Sequence, residues 1–102
     1  MPVKATITSV KPSGAQWFSD VSAENAAIGK SNVDWSKEQP GFISVTTTNP
    51  DENTRIIEYT FDTVENYTAW LQARSNLSSF KTVAEYHTNN NFVTVRHETI
   101  NQ

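Results

Sequence analysis

Two β-branched runs, FISVTTT (residues 42–48) and RIIEYTF (55–61), lie in the middle of the chain with the turn-forming NPDEN (49–53) between them. Pro50 and the neighbouring Asn and Asp residues supply turn geometry, so the two runs read as a hairpin. Arg55, Ile57, Tyr59 and Phe61 share one face of its second arm. A hairpin commits the sheet to antiparallel pairing, and whatever lies on either side must then pack against it.

Each side contributes one helical region and one further strand. VKATITSV (3–10) alternates Val3, Ala5 and Ile7 with Lys4, Thr6 and Thr8, the period of a half-buried strand, and KPSG ends it. Between residues 14 and 35, Trp17, Val21, Ile28 and Trp35 fall on one helical face. Gly29 and the polar SAEN predict an interruption near Val21–Glu24 or at Gly29. Pro40 ends the region, because proline disfavours helical geometry at Gln39 before it. After the hairpin, Thr63 is placed to cap VENYTAWLQAR, with Val64, Tyr67 and Leu71 as its apolar stripe. NLSSFKTVAEYH (76–87) reads as a second helix with Phe80, Val83 and Ala84 inward, and FVTVRHETI (92–100) as the last strand.

The order is β-α-β-β-α-β with an added helical segment before the final strand. It predicts one α+β domain over 1–102 of ferredoxin-like plan, a four-stranded antiparallel sheet with its helices on one face. The other face is expected to carry Thr6, Thr8, Ser44, Thr46, Thr48, Glu58, Thr60, Thr94 and Arg96, with Phe42 and Ile56 among them. Only 36% of the 102 residues are hydrophobic, so the core is small and leans on its aromatic rings. A homodimer that covers the open sheet face is the expected way to add buried area.

Several function classes are excluded by what the chain lacks. There is no Cys, hence no disulfide, thiolate metal site or Cys nucleophile. No H-x-x-x-H or carboxylate–His cluster has metal-ligand spacing, and DEN (51–53) lacks the oxygen ligands of a calcium loop. No G-x-S-x-G elbow or phosphate loop is present. The net charge is −3 and the basic residues are scattered, against nucleic-acid binding. RIIEYTF also lacks the Gly and exposed rings of an RNA-recognition strand. The start MPVKATITSV has no apolar signal-peptide core and no run is long enough to span a bilayer, so a cytoplasmic location is expected and NYT and NLS are read as chance glycosylation matches.

Pro40, Gly41 and Phe42 in a PGF turn, Phe61 at a strand end, Thr63 as a helix cap, and Tyr67, Trp70 and Leu71 on the following helix occur together between Gln39 and Phe80. This joint spacing resembles the antibiotic-biosynthesis-monooxygenase-like family of dimeric α+β barrels. Haem-degrading relatives combine an Asn on the first strand, a Trp at the place of Trp70 and a His ten residues later; here the first strand has no Asn and Phe80 stands in the third place. Phe offers no axial donor to haem iron, and no cofactor is expected.

The resemblance implies a cofactor-independent oxygenase whose phenolic or quinonoid substrate supplies the electrons to oxygen. The protein would deprotonate and orient that substrate in a dry pocket. Asn66, Trp70 and Tyr86 are then the site candidates, with His87, Arg96 and His97 behind them. Trp70 could stack a planar ligand while Asn66 hydrogen-bonds it; equally, Trp70 could fill the gap between helix and sheet while Asn66 supports the helix start. His87, beside an Asn-rich turn, reads as solvated. His97, on the side of Val93 and Val95, reads as facing core or pocket and is the better general-base candidate. The alternative to an enzyme is a non-catalytic dimeric binding or auxiliary protein of the same fold.

Overall fold

The computed structural model describes residues 1–100. Its elements run β1 (Val3–Val10), α1 (Phe18–Val21), α2 (Ala23–Lys37), β2 (Phe42–Asp51), β3 (Thr54–Phe61), α3 (Val64–Ser75), α4 (Ser78–Asn89) and β4 (Val93–Ile100). The four strands form one sheet in the order β2-β3-β1-β4, with every pairing antiparallel. This is the ferredoxin-like arrangement with its helices on one face.

The inner sheet face follows from the register. Val3, Ala5 and Ile7 of β1 pair with Phe61, Tyr59 and Ile57 of β3, which places their side chains together under the helices. Trp70 and Tyr67 of α3 close the other side of this cluster. Trp70 is only 1% exposed, its ring centroid 4.7 Å from that of Tyr59 and 5.0 Å from that of Phe61. Its indole N–H donates to Ser36 Oγ on α2 at 2.9 Å, and the Ser36 hydroxyl donates in turn to the Asn32 carbonyl at 2.9 Å. One buried side chain thus ties α2 and α3 to the sheet.

Local chemistry sets the element ends. Ser22 accepts from Asn25 N at 3.1 Å and so caps α2, which separates it from the single turn of α1. The expected stripe through Trp17, Val21, Ile28 and Trp35 crosses this break, so those residues do not share one face: Trp17 is buried ahead of α1 and Val21 is exposed. Gly29 does not interrupt α2. In the QPGF turn, Phe42 N donates to the Gln39 carbonyl at 3.2 Å and Gly41 has φ +80°, matching a type II turn with Pro at its second position and Gly at its third. Thr63 caps α3 by accepting from Asn66 N at 3.1 Å. Val64 is exposed, and the inward face of α3 is Tyr67, Trp70 and Leu71.

Several expected sheet positions are corrected by the pairing. Thr94 and Arg96 pair with Ser9 and Ile7, so they lie on the helix-facing side rather than the open one. Phe42 packs inward against Phe61, their centroids 5.9 Å apart, because a register shift follows it in β2. His97 pairs with Thr6, and Val95 with Thr8, on the open face. The apolar side of β4 is therefore the uncovered side, with Val93 and Val95 largely exposed.

Candidate functional site

The helices do not cover the inner face evenly. Trp70 fills the space beneath α3, whereas between α2, α4 and the sheet a cavity of about 760 Å³ remains. That volume falls within the range of small-molecule sites. The sheet supplies its floor through Ile7, Ser9, Arg55, Ile57, Tyr59 and Arg96. Gly29 and Asn32 of α2 and Phe80 and His87 of α4 form the opposite wall, with Trp17, Phe18 and Phe92 at one end. Thr94 and Arg96 line the cavity yet are exposed, so it reaches solvent along β4.

The amphipathic spacing of α4 accounts for its share of the wall, since Phe80, Val83, Ala84 and His87 recur at helical intervals and all line the cavity. Trp17 is set edge-on to Phe92 at 5.6 Å, and His87 stacks on Phe92 at 4.8 Å with the rings 13° apart. Lys11 steadies the preceding loop by donating to the Ala15 carbonyl at 2.8 Å and to Asn53 Oδ1 at 3.2 Å. Ser79 donates to Asn32 Oδ1 at 2.6 Å and links α4 to α2 across the cavity wall.

The charged groups of the lining are all cationic. Lys30, Arg55, Arg74 and Arg96 all contribute to it, and no Asp or Glu does. Lys30 is paired with Asp34 at 2.6 Å, a contact that also lowers the Asp34 carboxyl. Arg55 lies over the Trp17 ring at 4.4 Å and its Nε donates to Asn49 Oδ1 at 3.1 Å. Arg74 lies over Phe80 at 4.3 Å and over Trp70 at 5.2 Å. Burial lowers the pKa of both Arg55 and Arg74 from the ordinary value, without threatening the charge of either.

His87 is half-buried rather than solvated. Burial, and secondarily the Arg55 charge, hold its imidazole below the ordinary value of 6.5. It is therefore neutral at pH 7 and able to accept a proton. Tyr59 is pushed the other way, chiefly by burial, so its phenol stays protonated and can donate. Tyr67, behind it in the core, is raised by burial and by the neighbouring Glu98 carboxylate, and its buried hydroxyl has no hydrogen-bond partner among the described residues.

The site residues expected from sequence do not converge on one point. Trp70 lies behind the cavity wall formed by Tyr59 and Arg74. With Asn66, Gln39, Pro40 and Ala73 it borders a separate hollow of about 270 Å³. Asn66 Nδ2 donates to Asp62 Oδ1 at 2.9 Å, close to the Gly41 turn. Tyr86 packs edge-on to Phe18 at 5.4 Å and Phe92 at 5.6 Å, and its hydroxyl donates to the Gln16 carbonyl at 2.6 Å. His97 stands on the open sheet face. Of the residues held in reserve, His87 and Arg96 both line the large cavity. Trp17, Arg55 and Arg74 join them without having been singled out; the inward alternation of β3 was the available signal for Arg55, and the i+4 spacing from Trp70 the signal for Arg74.

No group of three or more His, Cys, Asp or Glu among the described residues is arranged to hold a metal ion, and no helix among them is long and apolar enough to cross a membrane.

No family model and no curated protein matches the sequence, but solved structures match its fold. SnoaB, a cofactor-independent oxygenase from Streptomyces nogalater, superposes with a TM-score of 0.67 at 14% identity, over 99% of this chain and 93% of that one. A candidate antibiotic biosynthesis monooxygenase from Deinococcus radiodurans gives a TM-score of 0.69 at 9% identity, over 98% and 92% of the two chains. A conserved protein from Methanosarcina mazei gives 0.69 at 10% identity, over 100% and 94%. The likeness is end to end, and it is a likeness of fold.

Proposed function

We propose that this protein takes a planar phenolic or quinonoid small molecule into the cavity between α2, α4 and the sheet and promotes its reaction with oxygen without a cofactor. The observation that carries this reading is the cavity itself, about 760 Å³, with aromatic walls, a neutral imidazole and guanidinium groups on one lining. The likeness to SnoaB supports the class of reaction. In this reading His87 removes the phenolic proton, and the cationic lining stabilises the phenolate, which gives its electrons to oxygen. Trp70 and Asn66 hold α3 so that Arg74 reaches the cavity, and Tyr86 backs its aromatic end.

The test is oxygen uptake with naphthols and hydroquinones beside equilibrium binding of the same compounds. His87→Gln is expected to slow uptake about 10²–10⁴-fold with binding retained. Because the folded environment lowers the His87 pKa, the base loses its proton at a lower pH than an ordinary imidazole does. The acid limb of the wild-type kcat/KM profile should therefore lie below the ordinary imidazole range, and the variant should lack that limb. Uptake no faster than in buffer, with no binding of any phenol, would sink the reading. Binding without uptake would favour a second one, a non-catalytic binding protein, for which the absence of any carboxylate acid–base group from the lining speaks.

The homodimer belongs to the same proposal. Val10, Val93 and Val95 are exposed on the open sheet face among Thr6, Thr8 and Thr60, a surface suited to a second copy. Light scattering of a dilute solution should give twice the chain mass, and Val95→Glu should shift it to monomer. A wild-type monomer at high concentration would contradict the pairing.

A further inference from the structure

We propose that the ligand of this cavity carries a carboxylate on its aromatic ring system, gripped between Arg74 and Arg96, with Arg55 supplying a second positive pole at the far end. The inference rests on the cavity being a ligand site, as proposed above, and adds the ligand's charge.

The ion pairs among the described residues are Lys4–Glu58 and Lys30–Asp34. Arg55, Arg74 and Arg96 therefore bring three guanidinium charges to one lining without a direct ion pair among the described residues; Asp20 acts on Arg55 from outside the lining, and Glu98 follows Arg96 on the same sheet face beside Tyr67. Charges of one sign gathered around a concave, partly desolvated space are costly unless something of opposite sign occupies it. The overall charge of −3 makes the local excess of cations more telling, because it does not follow from composition.

The register separates the three groups. Arg96 is level with Ile7 and, across β1, with Ile57; Arg55 is level with Ser9 and Thr94. The two arginines rise from the same sheet face two strands and two residues apart, roughly 10 Å across and 7 Å along. Arg74 reaches in from α3 to line the same cavity as Arg96, whose charge contributes to lowering the Arg74 pKa. A ligand anion between them would relieve that repulsion.

The form of the anion follows from how Arg74 is held. Its guanidinium carbon lies 4.3 Å from the Phe80 ring centroid and 5.2 Å from that of Trp70, and neither ring offers an oxygen acceptor for its N–H groups. A planar fork of donors matches a carboxylate in bidentate fashion. Tyr59 and Phe80 beside it are suited to the ring that bears the carboxylate, and His87 at the other end is suited to the phenol.

The experiment compares 6-hydroxy-2-naphthoate, whose hydroxyl and carboxylate lie at opposite ends of the ring system, its methyl ester and 2-naphthol by calorimetric titration of the full chain. The acid should bind at least about tenfold tighter than the ester, and added salt should narrow the gap. Arg96→Gln and Arg74→Gln should each weaken the acid by more than the ester and so narrow the gap between them, and Arg74→Lys should restore part of the preference. Thermal unfolding checks each variant; Arg96 is exposed on an edge strand, so its replacement carries the test if an Arg74 variant fails to fold. An ester or naphthol that binds as tightly as the acid, or a preference that survives both arginine changes, overturns the carboxylate and leaves the cavity reading standing. If none of the three binds, both fall.

Discussion

Replacing Trp70 by Ala should cost about 3–5 kcal/mol of folding stability, measured as a shift in the urea midpoint at constant slope. Trp70 is 1% exposed and touches three other rings, so the deletion opens a large void beneath α3. Total stability for a domain of this size is about 5–15 kcal/mol, so the loss is a large share of it. Trp70→Phe is a milder change. It removes the indole N–H together with the need to satisfy it, and Ser36 keeps its own bond to the Asn32 carbonyl. Its cost should be about 1–2 kcal/mol, mostly from packing. Ligand affinity should be nearly unchanged, because Tyr59 and Arg74 stand between this ring and the cavity. A large loss of affinity in a stable Trp70→Phe protein would move the site to the smaller hollow beside Pro40.

Gly41→Ala should cost about 2–4 kcal/mol through two separate effects. Its φ of +80° lies in the left-handed region, where a side chain is strained wherever it points. A Cβ there would also run into the Asp62 carboxylate and would lie 2.6 Å from Asn66 Nδ2 and 2.8 Å from Asn66 Cβ. The alanine must therefore displace the Asn66–Asp62 hydrogen bond that joins the end of β3 to the start of α3. Gly14, also at positive φ, has nothing near its Cβ position, so Gly14→Ala isolates the backbone contribution. Chemical denaturation of the two variants side by side separates strain from collision. Equal losses would mean that Asp62 and Asn66 yield without cost.

Most of the strand order was legible because period-two alternation and turn residues act locally. The inward face of β3 follows directly from RIIEYTF once a hairpin is recognised. The outcome for β4 differed because its apolar residues face away from the helices. Val93 and Val95 were read as core-facing, yet an edge strand on an uncovered sheet face can carry its apolar side outward, and that reversal moved His97, Thr94 and Arg96 together. The stripe from Trp17 to Trp35 misled for another reason: helical spacing has no meaning across the cap at Ser22. Of the two places where a break was expected, it falls at Val21–Glu24, while Gly29 lies within α2 on the cavity wall, where the place of a Cβ is empty. Trp70 was rightly marked as part of the framework, but whether an aromatic ring bounds a void depends on how its neighbours fill space. The cavity is made by α4 standing off the sheet, and local patterning carries no record of that distance.

One consequence concerns β4. It pairs only with β1, and every one of its side chains from Val93 to Ile100 is exposed. Among the strands it has the least burial to oppose local opening, and its backbone amides should exchange with solvent through excursions that leave the Trp70 cluster intact. The Arg96 side of the cavity is thus hung on the part of the sheet that opens most readily. Anything that bridges Arg96 to α3 must, by linkage, close that opening by as much free energy as the closed strand contributes to holding it.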